Sequence, residues 1–463
     1  MTTELTVHLP PTNPREGEKP RAFVLAGAFR VVCRNPRFVT ELAERGLAVL
    51  IMTPSGTEEQ VAAALESGDT VFERIAEVRY VSGSMERESS FNASALALAR
   101  EWQRRFTIVG LYAMEETLVE PAGLIGDRLG LPAPGLRASR VCRSKYLQRF
   151  YLDEYSPWSV TVPPEERAQL DLTAISYPVV AKPAGRHASS GVVSCRDAEE
   201  LATALASYPA YETVLVEQQI HGPEFSVESL FQDGRPIMSS VTAKQTTESS
   251  GRGFVELAHT VPEQGGEVAG RTIDSILRAA NLEVHKYLGY ENGVTHSEWR
   301  ITPSGEPYLM EIASRTPGDG ITLLYNLAFG ASLEPEILRI ALGETAAYPE
   351  PRRVARQVYL EHPPGVLADV VINWPGTDVE WVRGSDRWPA FRSGAVGDPP
   401  TLRCVLVLKE RGDRLEPLMS SDDRAVTFFI DAESVAELDE LQRQVAAAVQ
   451  IVVTDGEGAA GAH

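Results

Sequence analysis

Three short apolar runs near the start of the chain, RAFVLAGA (21–28), LAVLIMT (47–53) and RRFTIVGL (104–111), alternate with segments of helical period around 36–45 and 90–103. Uninterrupted apolar runs of this length mark strands buried on both faces, and parallel strands need helical crossovers between them. The alternation predicts a parallel α/β unit over 21–135. Gly27 continues as AFRVVCR and not as a GxGxxG turn, so a dinucleotide site is unsupported and the unit is expected to serve as a scaffold or substrate-binding domain.

The Pro/Gly-rich stretch LGLPAPGLRASR then leads into a basic segment, RVCRSKYLQRFYLDEY (140–155), predicted to be helical and to open a new domain. Strands are expected at 177–183, 213–220, 224–231 and 236–243. The last two flank Asp233-Gly234, which favours a tight type I′ hairpin, so this sheet should be antiparallel. A helix over about 267–288, a second hairpin and an apolar helix near 321–343 follow. Further strands at 403–410 and 425–432 and an amphipathic helix at 433–450 complete a C-terminal unit. The reading divides the chain into a flexible arm (1–20), an N-terminal α/β domain (21–135), a small lobe (136–220), a central lobe (221–348), a C-terminal α+β subdomain (349–455) and a disordered tail (456–463).

Composition narrows the function. A formal charge of −20 on 463 residues opposes binding to nucleic acid or anionic membrane, and no basic patch interrupts it. No run approaches the ~20 apolar residues of a membrane span, and the N-terminus lacks the order of a signal peptide, so a cytoplasmic protein is expected. The four cysteines, Cys33, Cys142, Cys195 and Cys404, are isolated and read as buried small hydrophobes. Only six residues are lysine against 38 arginines, so a retained lysine is mildly informative: its compact ammonium suits phosphate oxygens.

The sharpest chemical signal is GVTHSEWRITPSGEPYLMEIASR (293–315). If its strands turn at Ser304-Gly305, Glu298 and Glu311 face each other. His296, Glu298 and Arg300 then share one face, while Trp299, Ile301, Tyr308, Met310 and Ile312 take the other. Opposed carboxylates lie ~4.5–5.5 Å apart at Cβ and repel, and a hard divalent cation such as Mg²⁺ relieves that. The same pair also reads as a solvated face compensated by Arg300 and Arg315, and a one-residue slip would separate it. A second signal is YPVVAKPAGRHASSGVVSC (177–195), where a strand ends at Lys182 before a small, polar loop (185–191) able to bring backbone N–H groups close to an anion, or to be only a hairpin connection. A third is VLVEQQIHGPEFSVES (214–229), a strand with Glu217 and a turn before Glu224 that would suit an adenine edge and a ribose, or be two surface glutamates beside a turn.

The order of these elements resembles the ATP-grasp superfamily over about residues 115–345, preceded by a Rossmann-like α/β domain. HSEW…YLMEIASRTPGDGI is most similar to the carboxylate–amine ligases that make dipeptides, the L-amino-acid ligases. The resemblance implies ATP as cofactor with Mg²⁺, Mn²⁺ being an alternative. It implies phosphate contacts from Lys145 and Lys182 and a loop with Gly185, Ser189, Ser190 and Gly191 that closes as a lid. It further implies an adenine hinge of Glu217, Gln218, Gln219 and Ile220, a ribose carboxylate at Glu224, metal-bridging Glu298 and Glu311, and Arg315 on the reacting phosphoryl and acyl groups. Ala313 stands where many members have a metal-binding asparagine.

The implied reaction activates a carboxylic acid as an acyl phosphate, which an amine then attacks. The implied substrates are a small-molecule carboxylic acid and an amine, with amino acids as the expected class. Lys244, His296, Arg315 and Gly318 are candidate substrate contacts, His296 also a candidate base, and Asp319 a candidate for orienting the amine. Lys244 reads equally as a surface lysine and His296 as a structural histidine. Such ligases are often dimeric, which leaves a homodimer open for 349–455. Two other readings stay open: another acyl-phosphate enzyme of carboxylase or formyl-transferring type, and a non-catalytic ATP-binding module.

Overall fold

The structure, a computed structural model, describes residues 18–85, 87–186, 191–250, 254–382 and 388–454. Most of the expected N-terminal arm, the tail at 456–463, and Ser189 and Ser190 of the expected phosphate loop lie outside the described residues.

The N-terminal apolar runs form strands β1 (Arg21–Ala26), β2 (Ala48–Pro54), β3 (Ile75–Val81) and β4 (Thr107–Ala113) of an all-parallel sheet in the order β3-β2-β1-β4. Helices α1 (Phe29–Arg34), α2 (Arg37–Glu44), α3 (Glu58–Glu66) and α4 (Asn92–Arg105) supply the crossovers. β1 has β2 on one side and β4 on the other, so the crevice at its carboxyl end is the switch point where α/β sheets bind ligands. Gly27 stands there at φ +154°, and a Cβ on it would come 2.9 Å from Glu115 Cγ.

After α5 (Val119–Leu129) the expected basic helix breaks in two, α6 (Leu136–Val141) and α7 (Lys145–Tyr151). α6 and the residue that ends α7 pack on the core of the central lobe: Ala138, Val141, Cys142 and Leu152 join Trp299, Leu309 and Ile312 in one cluster. The small lobe is a sheet of β5 (Ser159–Val162), β6 (Val179–Pro183), β7 (Val193–Cys195) and β8 (Val214–Gln218), ordered β5-β8-β6-β7 and backed by α8 (Ala198–Ser207).

The rest is built on one nine-stranded sheet. β9 (Glu224–Gln232) and β10 (Arg235–Thr246) form the expected hairpin, with Asp233 at φ 52° and Gly234 at φ 72°, the paired positive values a type I′ turn requires. β11 (Glu256–Val261) extends it, and the short strands β12 (Glu267–Val268) and β13 (Arg271–Thr272) lead to α9 (Ile273–Leu288). β14 (Gly293–Ile301) and β15 (Pro307–Ala313) make the second hairpin. The expected single apolar helix is interrupted at Gly330, φ 73°, into α10 (Ile321–Phe329) and α11 (Glu334–Ala341).

The sheet continues across residue 348. β16 (Val354–Leu360) pairs with β11, and the order runs β15-β14-β9-β10-β11-β16-β21-β19-β18, with β18 (Val379–Trp381), β19 (Thr401–Val407) and β21 (Val426–Ala432). β17 (Gly365–Ile372), β20 (Arg414–Leu415) and β22 (Val449–Thr454) form a small sheet beside α12 (Val435–Ala448). All four cysteines are buried and none forms a disulfide. Among the described residues no helix is long and apolar enough to cross a membrane.

Candidate active site

Glu298 and Glu311 are directly opposed on β14 and β15, as the short turn predicts. The register shifts immediately beyond them, so that Trp299 pairs with Leu309 and Arg300 with Tyr308. This bulge corrects one sequence expectation. Leu309, not Met310, joins the core, Tyr308 lies across from Arg300, and Met310 lines the cavity beside Glu311. β15 is an edge strand, and α7 covers its outer backbone. Gln148 donates to Ile312 O and accepts from Ile312 N–H, both at 3.0 Å, and Arg149 Nη2 donates to Met310 O at 2.7 Å.

A cavity of about 860 Å³ opens over the pair, between the small lobe, the central lobe, the N-terminal switch point and the C-terminal strands. Lys145, Lys182, Glu217, Gln218, Gln219, Ile220, Glu224, Lys244, His296, Arg315, Gly318 and Asp319 all line it. Gly185 and Gly191 do not, although Arg186 between them does.

The charges in the cavity are held in pairs. Glu298 Oε1 accepts from Lys244 Nζ at 2.5 Å, and Glu311 Oε1 from Lys145 Nζ at 3.0 Å. Burial opposes the charge on both, but Lys244 holds the Glu298 carboxyl well below the usual range and Lys145 lowers that of Glu311. Both stay anionic, and Oε2 of each has no hydrogen-bond partner among the described residues. Two hard carboxylate oxygens presented from adjacent strands fit Mg²⁺. Lys244 also lies 3.4 Å from Glu224 and 3.8 Å from Glu256, so its ammonium sits among three carboxylates rather than on the surface.

Several side chains are engaged differently from the sequence expectation. Glu217 is buried between Lys182 Nζ, at 2.6 Å, and Arg149 Nε. The N–H groups of Gln218 and Gln219 donate to Trp158 O and Pro178 O, and Ile220 O accepts from Arg300, so much of this hinge backbone is already paired. Glu224 is bonded to Arg300 at 2.9 Å. His296 has Nδ1 2.7 Å from Glu228 Oε1 and Nε2 3.3 Å from Glu298 Oε1, and its pKa is raised because these carboxylates outweigh burial. With a carboxylate on each nitrogen it is built as a charged donor, not as a base. Asp319 accepts from Arg424 at 2.6 and 3.0 Å and lies 3.0 Å from His259 Nε2, which leaves it no free oxygen for an amine.

Arg315 is fixed from the N-terminal domain. Its Nε donates to Glu116 at 2.9 Å and Nη1 to Thr316 O at 2.8 Å, while Thr316 N–H donates to the Tyr112 hydroxyl. Nη2 has no partner among the described residues. Sequence reasoning did not single out Glu115, Glu116, Glu256, His259 or Arg424. The first two follow closely on β4 at the switch point, a position the parallel alternation could have flagged; Glu256 and His259 sit on β11 and Arg424 just before β21, with no local motif.

Residues 175–323 match a family described as the ATP-grasp domain. This part of the chain is similar to ATP-grasp domains. The matched segment carries β6 through β15, and thus both Lys182 and the Glu298–Glu311 pair. The chain is 30% identical over 269 residues to the uncharacterized protein y4rH of Sinorhizobium fredii (strain NBRC 101917 / NGR234), an overlap covering 54% of this chain and 52% of that protein. It therefore spans about half the length of this relative. It is 29% identical over 217 residues to the D-alanine–D-alanine ligase of Gloeobacter violaceus (strain ATCC 29082 / PCC 7421), covering 43% of this chain and 67% of the ligase. In fold it is similar to the L-amino acid ligase from Bacillus licheniformis, with a TM-score of 0.69, 19% identity, and coverage of 95% of this chain and 100% of that one.

Proposed function

We propose that the protein is an ATP-dependent carboxylate–amine ligase that joins a carboxylic acid, such as an amino acid, to an amine through an acyl phosphate. The observation that carries this reading is the opposed pair Glu298 and Glu311, with a free Oε2 on each, in one cavity with Lys145, Lys182 and Arg315. Two named ligases among the similar proteins support it.

Each group has a defined task. Glu298 and Glu311 would hold Mg²⁺, which would supply positive charge to neutralise the phosphates. Lys145 and Lys182 are aimed by Glu311 and Glu217 toward the phosphate side of the cavity. Arg315, held by Glu116 and Thr316, offers Nη2 to the oxygens of the transferring group. Catalysis of this kind is mainly positioning and charge neutralisation, and buried donors fixed in advance act with no reorganisation during the reaction.

The acid's carboxylate oxygen bonds to the γ-phosphorus as the bond to ADP breaks. The amine nitrogen then bonds to the carbonyl carbon, and the bond from that carbon to the phosphate oxygen breaks. Incubating the protein with ATP, Mg²⁺ and pairwise panels of acids and amines tests the reading. ADP and phosphate released with an acid and an amine together support it. ADP release that depends on bicarbonate would replace it with a carboxylase, and binding without turnover on any pair would replace it with a binding module.

A further inference from the structure

Forming an amide from an amine requires a group to accept the proton the nitrogen gives up. His296, the histidine beside the acidic pair, has a carboxylate on each ring nitrogen. A second histidine lines the same cavity. His259 stands in β11, in register with Lys244 of β10 and Gln357 of β16. Glu298 is in register with Ser226 of β9, and Ser226 with Thr242 of β10, two residues from Lys244. Period-two alternation therefore puts Glu298, Lys244, His259 and Gln357 on one face of the sheet, and the first three line the cavity.

His259 is 1% exposed, and its two nitrogens are treated differently. Nε2 lies 3.0 Å from Asp319 Oδ2, while Nδ1 is buried with no hydrogen-bond partner among the described residues. A buried polar atom left unpartnered is costly, so it marks a place where a partner belongs. Asp319 is itself held: Arg424 grips it with two hydrogen bonds, and the Arg424 guanidinium lies 3.9 Å from the centre of the Tyr359 ring. Burial opposes the Asp319 charge, but Arg424 holds its carboxyl well below the usual range, so it stays an acceptor. An acceptor at Nε2 selects the tautomer with its proton there and leaves a lone pair on Nδ1. Asp319 also follows Arg315 by four residues on a loop that Gly320 N–H anchors to Gln357 at 2.9 Å, so the arginine and the histidine are set by one piece of backbone.

We propose that His259 is the general base of the amide-forming step, with Asp319 as its positioning residue. This rests on the ligase reading above. As the amine nitrogen bonds to the acyl carbon and the carbon–oxygen bond to phosphate breaks, the electron pair leaves with the phosphate. The proton from nitrogen passes to His259 Nδ1 and then to the departing phosphate, which leaves as hydrogen phosphate with the imidazole neutral again.

The test compares the full-length protein with His259→Asn, His259→Gln and Asp319→Asn, using ATP, Mg²⁺ and an acid found by ADP release. Two nucleophiles are offered in parallel, an amine that gives product with the unaltered protein, and hydroxylamine, which is unprotonated at neutral pH and traps acyl phosphates without a base. The quantity read is the ratio of amide to hydroxamate, which does not depend on how much of a variant is folded. Both His259 variants are expected to lower the ratio by about 100-fold, in the range of lost general-base catalysis, and Asp319→Asn by about 10-fold. An unchanged ratio, or equal loss of both products, in the His259 variants overturns the base assignment and leaves the ligase reading standing. Neither product from the unaltered protein with any acid overturns the ligase reading, and the base with it.

Discussion

Glu217 accepts from Lys182 Nζ at 2.6 Å through one oxygen and from Arg149 Nε through the other, all three side chains being buried. Its side chain is thus spent on holding a candidate phosphate lysine. Burial opposes the Glu217 charge, and Arg149 and Lys182 outweigh it. Removing one member of a buried ion cluster leaves the others uncompensated, at about 3–5 kcal/mol. Glu217→Gln is expected to lose about 3 kcal/mol in urea unfolding and to raise KM for ATP. Unchanged stability would contradict this role.

Glu298 and Glu311 should not be interchangeable with their amides. Glu298→Gln and Glu311→Gln each remove a charged oxygen from the candidate metal site, and turnover is expected to fall by about 100-fold or more. Titration calorimetry with ATP should show that Mg²⁺ no longer strengthens binding. A variant that keeps Mg²⁺-dependent binding would remove that residue from the metal site.

Arg315 uses Nε and Nη1 on Glu116 and Thr316 O and keeps Nη2 for the cavity. Lysine has one nitrogen and cannot make these contacts and a third. Arg315→Lys is expected to lower kcat by about 100-fold with little change in ATP affinity, read by steady-state kinetics and by nucleotide titration. Wild-type kcat in this variant would show that charge alone suffices.

A pH effect follows from His285. It is buried against Phe231, with Nδ1 on Asn281 O at 2.6 Å and Nε2 on Thr295 at 2.8 Å, and burial depresses its pKa to about 4 from 6.5. The folded protein resists protonation there while the unfolded chain accepts it. Stability is therefore lost as the pH falls from 6.5 towards 4, on the order of 3 kcal/mol from this group. His296 acts oppositely: its raised pKa contributes stability that is full below 6.5 and lost as the pH rises through the folded value. NMR titration of the two imidazoles should show His285 neutral at pH 5 and His296 charged above 6.5. A normal midpoint for His285 would refute the first part.

What could be read from the sequence was local. The parallel unit was legible because its strands are buried on both faces, and the acidic pair because a short turn ties period-two strands into one register. The bulge at Met310 was not, since it is stabilised by Arg149 and Gln148 from a helix more than a hundred residues away. His259 was missed for the same reason: its neighbours Asp319, Gln357 and Arg424 come from a loop and two later parts of the chain. Likewise the strand Val354–Leu360 carries buried Arg356 and Gln357 amid its apolar residues, which blurs the pattern of a core strand.

The most direct test of the central claim follows the acid's oxygen. An acid substrate carrying heavy oxygen in its carboxylate is turned over with ATP, Mg²⁺ and an amine, and the released phosphate is analysed by mass spectrometry. An acyl phosphate requires one labelled oxygen to leave in each phosphate, with ADP unlabelled. Unlabelled phosphate, or release of AMP in place of ADP, would contradict the account.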